Sequence, residues 1–313
     1  MNETFKAFDF RTRFGSITFP SPIFTASGCA GSGKELSQFF SLDELGAIVT
    51  KSIAVKPRSG RATPRMAETP SGMLNSIGLQ GPGIDQFLEI DIPWLISRNV
   101  RTIVSISGET VEEYATLARK LRSVSGLSGV EVNISCPNVE NRGMVFACDP
   151  IASREVIQVV RRNLGNDLPI IAKLSPDVTD LVSIAHGVVD AGANGLALIN
   201  TLLGMVIDID ARRPKLAGKT GGLSGPAIRP VAVRAIYQVH AALPQIPILG
   251  MGGVASGRDA LELIFAGASG VSIGTATFGD PGAPLRIKRE LEIALKERGF
   301  SSFADAVGAA HES

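Results

Sequence analysis

The feature that most restricts this chain is a rhythm of strand-like runs and intervening helical segments, repeated from end to end. Apolar runs rich in Val, Ile, Leu and Ala occur at 22–28, 47–52, 102–106, 130–135, 169–174, 195–201, 247–251 and 270–274. Helical patterns follow at 35–45, 84–97, 111–124, from about 149, 180–191, 227–242, 257–266 and 285–298. In the third of these, Tyr114, Leu117, Ala118 and Leu121 share one face at helical spacing. Near-continuous apolar strands alternating with helices specify a parallel sheet covered by helices. Eight such units predict a (β/α)₈ TIM barrel, an α/β fold, over a single domain spanning 1–313. Longer excursions rich in Gly, Pro and Arg or Ser place insertions after strands 2, 4 and 6. An open doubly wound sheet is the competing architecture, but it more often has fewer strands.

Composition narrows the functional classes. The 313 residues carry a formal net charge of +1 and no long run of one sign, so there is no electrostatic footprint for nucleic acid. The start, Met1-Asn2-Glu3-Thr4-Phe5-Lys6, has no apolar h-region, and no apolar run is long enough to cross a bilayer. The expectation is a cytoplasmic protein without membrane contact. Cys29, Cys136 and Cys148 are odd in number and form no C-x-x-C, which argues against a disulfide framework, a zinc site or a Cys₄ iron–sulfur cluster. No His/Asp/Glu set suggests a metal, and His186, His240 and His311 read as structural or surface residues.

In a barrel of this kind the active site forms at the C-terminal ends of the strands. The strand ends and their loops offer Ala26-Ser27-Gly28, Lys51-Ser52, Asn75, Asn133 with Cys136 and Asn138, Lys173, Asn200-Thr201, Gly252-Gly253 and Gly274-Thr275. In the fourth strand Val130, Val132 and Ile134 alternate with Glu131, Asn133 and Ser135, and Pro137 then ends any ladder. Cys136 therefore sits where strand gives way to loop. There a thiol attacks or takes a proton, or is simply a small buried apolar residue. Two lysines on apolar strands need partners or must lose charge. Either alone is readily explained as a lysine snorkelling outwards; both at one end, among four asparagines, are not. Glycines in the loops after strands seven and eight suit a phosphate held by backbone N–H groups, with Gly222, Ser224 and Gly225 nearby. The run from Gly28 to Lys34 matches G-x-x-x-x-G-K, but Glu35 stands where a Walker loop needs Ser or Thr, so a nucleotide triphosphatase is rejected.

These residues resemble the class 1 dihydroorotate dehydrogenases over nearly the whole chain, and most of all the catalytic subunit of the NAD-linked class 1B. The resemblance is carried by Glu68-Thr69-Pro70-Ser71-Gly72-Met73-Leu74-Asn75-Ser76-Ile77-Gly78-Leu79-Gln80, Asn133-Ile134-Ser135-Cys136-Pro137-Asn138-Val139, Ala172-Lys173-Leu174-Ser175-Pro176, Asn200-Thr201-Leu202-Leu203-Gly204-Met205, Gly221-Gly222-Leu223-Ser224-Gly225-Pro226-Ala227-Ile228 and Gly250-Met251-Gly252-Gly253. A Cys rather than a Ser in the active-site loop resembles class 1 and not the membrane-linked class 2. The resemblance implies oxidation of (S)-dihydroorotate to orotate in pyrimidine synthesis, with one FMN per chain.

Under that resemblance Cys136 is the general base that takes the C5 proton. The substrate is held by Lys51, Asn75, Asn133, Asn138, Asn200 and Thr201 with the Ile77-Gly78-Leu79 backbone. The flavin is held by Ala26, Ser27, Gly28, Lys51, Ser52, Asn133 and Lys173, and its phosphate by Gly225, Gly252, Gly253, Gly274 and Thr275. The segment 140–143 after the base reads as a lid over the substrate. The chain has no NAD-binding fingerprint and no cluster cysteines, so an NAD⁺-linked reaction implies a partner subunit with FAD and a [2Fe–2S] cluster. The implied assembly is a heterotetramer on a homodimer. Ser52-Ile53 and Ser105-Ile106-Ser107-Gly108 depart from the family's usual pattern. The rival readings are a fumarate-dependent class 1A enzyme or a related flavin pyrimidine reductase. More remote are a flavin-free barrel aldolase with a Schiff-base lysine and a non-catalytic phosphate-ligand binding subunit.

Overall fold

The computed structural model describes residues 8–135 and 146–311. Eight parallel strands form one sheet: β1 Ile23–Thr25, β2 Ile48–Val49, β3 Thr102–Ile106, β4 Gly129–Asn133, β5 Ile170–Lys173, β6 Gly195–Leu198, β7 Ile248–Gly250 and β8 Gly270–Ile273. The spatial order is β1-β8-β7-β6-β5-β4-β3-β2. The circle closes where β1 meets β2, through a parallel bridge between Phe24 and Ala47. The Thr25 side chain reinforces this short seam, since its hydroxyl accepts the Val49 N–H at 2.9 Å. The eight-stranded barrel expected from the sequence is thus the fold.

Two cores follow from the strands being buried on both faces. The larger lies between strands and helices and holds Ile23, Ile48, Val104, Val130, Val132 and Ile170 among many others. The smaller fills the barrel interior with Phe24, Ala47, Val49, Ile103, Ile171, Ala197 and Leu249. An N-terminal hairpin, Thr12–Phe14 with Ile17–Phe19, joins this inner core. Its Phe14 and Phe19 meet the Phe24 ring edge-on, with centroids 5.9 and 5.1 Å away. The interior is closed there by apolar packing.

The helices begin where their caps dictate. Thr110 accepts the Glu113 N–H before Val111–Arg122, Asp149 caps Pro150–Leu164, Asp180 caps Leu181–Asp190 and Ser256 caps Gly257–Phe265. One expectation fails. Residues 35–45 do not form the first barrel helix but two 3₁₀ turns, Leu36–Gln38 and Leu42–Glu44. Ser41 between them is extended, with φ −72° and ψ 124°, and so interrupts the helical run. The second helical segment is also irregular, with a π-helical stretch Phe87–Asp91 between α-helical Ile84–Gln86 and Ile92–Ser97.

The excursions after β2 and β6 build a second sheet that the strand pattern did not disclose. Met66–Thr69 pairs with Gly72–Asn75, which pairs with Gly221–Ser224, which pairs with Leu202–Gly204, all antiparallel. Two insertions far apart in sequence are thereby locked over one rim of the barrel. Gly222 is necessary to this contact, because a Cβ there would lie 2.0 Å from Thr201 Oγ1.

Candidate functional site

The C-terminal ends of the strands and the small sheet enclose a cavity of about 430 Å³, a size typical of ligand sites. Ala26, Ser27 and Gly28 line it after β1, and Lys51 and Ser52 after β2. Asn75, Ile77 and Leu79 come from the first insertion, Asn133 from the end of β4 and Lys173 from the end of β5. Asn200 and Thr201 follow β6, Gly225 precedes the sixth helix, and Gly252, Gly253, Gly274 and Thr275 follow β7 and β8. Of the expected site residues in the described region, Gly78 alone is not part of the lining. A Cβ on Gly78, at φ +78°, would meet Arg61, so it packs behind the wall. Leu79 holds φ +54°, which is costly for a side chain of this type. Cys136, Asn138 and the 140–143 segment lie outside the described residues.

One side of the cavity is built from backbone. Gly253 has φ +74°, and a Cβ there would stand 2.8 Å from Arg229 Cβ and 2.9 Å from the Gly225 carbonyl oxygen. Only glycine fits. Among the described residues no hydrogen bond engages the N–H groups of Gly252, Gly253 or Thr275. Thr275 donates its hydroxyl to Ser224 Oγ at 2.8 Å, joining the two loops. Exposed N–H groups crowded into one corner form a concavity for an anion. Ser272, 1% exposed and also lining the cavity, has a buried hydroxyl with no partner among the described residues.

The floor is a polar network inside the barrel. Ser105 donates to Glu131 Oε1 at 2.8 Å and accepts from Ser27 at 3.2 Å. Ser52 Oγ lies 2.9 Å from Ser105 Oγ and accepts from Asn133 Nδ2 at 3.3 Å. Asn133 Oδ1 accepts the Ser135 N–H at 3.1 Å, and its carbonyl accepts the buried Tyr114 hydroxyl at 2.7 Å. The amide is therefore fixed at both ends. Ser52 and Ser105, both singled out in the sequence, are members of this network. Lys173 Nζ lies 3.8 Å from Glu131 Oε1, with both side chains almost wholly buried. Lys51 adds a second cation, with Nζ 3.6 Å from where a Gly28 Cβ would be. Cys29 also lines the cavity, and burial pushes its thiol up against the opposing pull of Lys173 and Lys51.

Sequence reasoning passed over Glu131, Ser272 and Cys29. The signal for Glu131 was present: a charged residue in mid-strand of a sheet buried on both faces needs an internal partner. Lys34, the lysine of the rejected Walker-like run, forms an ion pair with Asp91 at 2.8 Å beside Trp94. Among the described residues no cluster of His, Cys, Asp and Glu is arranged to hold a metal, and no helix is long and apolar enough to cross a membrane.

The dihydroorotate dehydrogenase family model matches residues 10–295. A protein of Geobacter sp. (strain M21), named dihydroorotate dehydrogenase B (NAD(+)), catalytic subunit, is 48% identical over 301 residues, 96% of this chain and 98% of that protein. Proteins of the same name are 50% identical over 299 residues in Desulforamulus reducens (96% and 97% covered) and 48% identical over 297 residues in Desulforudis audaxviator (95% and 96% covered).

Proposed function

This chain belongs to the dihydroorotate dehydrogenase family, and from that premise we propose that it oxidises (S)-dihydroorotate to orotate in pyrimidine synthesis, as the FMN-containing catalytic subunit of an NAD⁺-linked enzyme. One observation carries the reading. A single cavity is lined by two lysines, three of the four asparagines and the glycine corner, and the fourth asparagine and the base belong to the segment that follows β4. The domain that does this is one barrel spanning 1–313.

The residues fit FMN. The N–H groups of Gly252, Gly253 and Thr275 are unengaged among the described residues, and they suit a dianionic phosphate. The Ser272 hydroxyl supplies a buried group awaiting a partner. Ala26, Ser27, Gly28, Ser52 and Asn133 would border the ring system, and Lys173 its N1/O2 edge, where positive charge favours electron uptake. When bound, FMN supplies the acceptor for the hydride that leaves C6 of the substrate.

The remaining chemistry belongs to the chain. Cys136 takes the C5 proton, a contribution typically of about 10²–10⁴-fold. Asn75, Asn133, Asn138 and Asn200 grip the planar amide edges of the pyrimidine and its carboxylate, since each amide offers both donors and an acceptor. Lys51 bridges substrate and flavin, and Thr201, Ile77 and Leu79 complete the wall. Asn133 comes to this task already oriented by Ser52 and Ser135. A partner subunit carrying FAD and a [2Fe–2S] cluster, in a heterotetramer built on a dimer of this chain, would supply the route from the flavin to NAD⁺.

The test is the acceptor requirement. The purified, FMN-supplied chain forms orotate from dihydroorotate with an artificial acceptor, but reduces NAD⁺ only when an FAD/iron–sulfur subunit is added. Efficient turnover with fumarate alone would instead make it a class 1A enzyme.

A further inference from the structure

Glu131 is 1% exposed and Lys173 4% exposed. They project inward from neighbouring strands, and their charged atoms come within 3.8 Å. Glu131 Oε1 also accepts the Ser105 hydroxyl at 2.8 Å, while Oε2 is buried with no hydrogen-bond partner among the described residues. Burial disfavours a charged ammonium unless an opposite charge compensates it. Among the described residues, the other titratable groups facing Lys173 are Lys51 and Cys29. Lys51 is a like charge, and the Cys29 thiol is held in its neutral form by burial. Neither supports a cation at Lys173. Among the described residues the compensating charge is Glu131.

We propose that Glu131 is a positioning residue that keeps Lys173 protonated on the floor of the cavity. Lys173 lines the cavity while Glu131 stands behind it in the barrel. The carboxylate is itself held in place by Ser105, and Ser105 by Ser27 and Ser52. The serine network thus serves the lysine through the acid. Loss of Glu131 leaves a buried cation without a partner, and its proton is then released at lower pH.

Two measurements test this. The first rests on the FMN reading and follows the two-electron flavin potential between about pH 7 and pH 9. Where one proton accompanies two electrons, each pH unit is a tenfold change, about 30 mV. The Glu131→Gln protein steepens towards twice that slope as Lys173 begins to titrate, whereas the unaltered protein keeps the single slope. Equal slopes in the two proteins would overturn the proposal. The second needs no flavin and therefore separates this inference from the functional reading. Flavin-free Glu131→Gln melts below the double variant Glu131→Gln/Lys173→Met, because removing the lysine relieves the unpaired charge. If the single variant does not fold, recovery of folded protein in the double variant is the same result. A double variant that melts no higher than the single one, or does not fold either, would contradict the pairing.

Discussion

The Ser52 and Ser105 hydroxyl oxygens lie 2.9 Å apart, joining the loop after β2 to the middle of β3. The direction of this contact is set from below, because Ser105 spends its own proton on Glu131 and must accept from its neighbours. Ser105→Ala therefore removes a bond to a buried carboxylate. The expected loss is about 1.5–3 kcal/mol of unfolding free energy, the range for hydrogen bonds to charged groups. Ser272→Ala is the control. Its buried hydroxyl has no partner among the described residues, so Ala removes no hydrogen bond and the unfolding free energy of the flavin-free protein does not fall. Urea unfolding of both variants checks the contrast.

Gly253→Ala places a methyl group between Arg229 and the Gly225 carbonyl, at a positive φ. The loop after β7 must shift, and with it the N–H groups offered to the phosphate. FMN binding weakens at least tenfold, read by recovery of flavin fluorescence on dilution. Unchanged affinity would place the phosphate elsewhere.

What the sequence disclosed follows from how a parallel barrel is built. Its strands are apolar on both faces, so Lys51, Lys173 and Asn200 stood out at their ends, with Asn75 in the long loop after the second, and the fold rule assigned strand ends and their loops to one rim. All four line the cavity. Three features were hidden for physical reasons. The pairing of Asn75 with Gly222 joins segments 147 residues apart, and no local pattern encodes a register between two insertions. The 35–45 segment has a helical composition but breaks at Ser41. Glu131 looked like the polar face of an alternating strand, whereas its partners, Ser105 and Lys173, sit on different strands.

His240 gives the fold a pH dependence away from the cavity. Its ring Nδ1 is buried without a partner among the described residues, and its ring centroid is 4.9 Å from that of His311. His311 in turn stacks on Tyr237 at 3.9 Å. Burial first, and the nearby His311 second, hold His240 below its ordinary 6.5. The unfolded chain thus binds a proton at this position before the folded chain does. Its contribution to stability is complete above about pH 6.5 and is lost as pH falls through the folded value. The melting temperature falls between about pH 7 and pH 5, and His240→Leu lessens that fall. A variant as acid-sensitive as the parent would remove His240 from the account.

Cys136→Ala keeps FMN but loses about 10²–10⁴-fold in turnover, the usual worth of a general base. The loss is greatest in the rate of flavin reduction measured by stopped flow. Wild-type-like reduction would assign the C5 proton to another group.

The most direct measurement is an anaerobic visible spectrum of the FMN-loaded chain before and after one equivalent of dihydroorotate. The proposed function predicts that the visible flavin band bleaches and that orotate appears in equal amount. A yellow protein whose band is unchanged by dihydroorotate would contradict the substrate assignment, and a chain that takes up no FMN would contradict the cofactor as well.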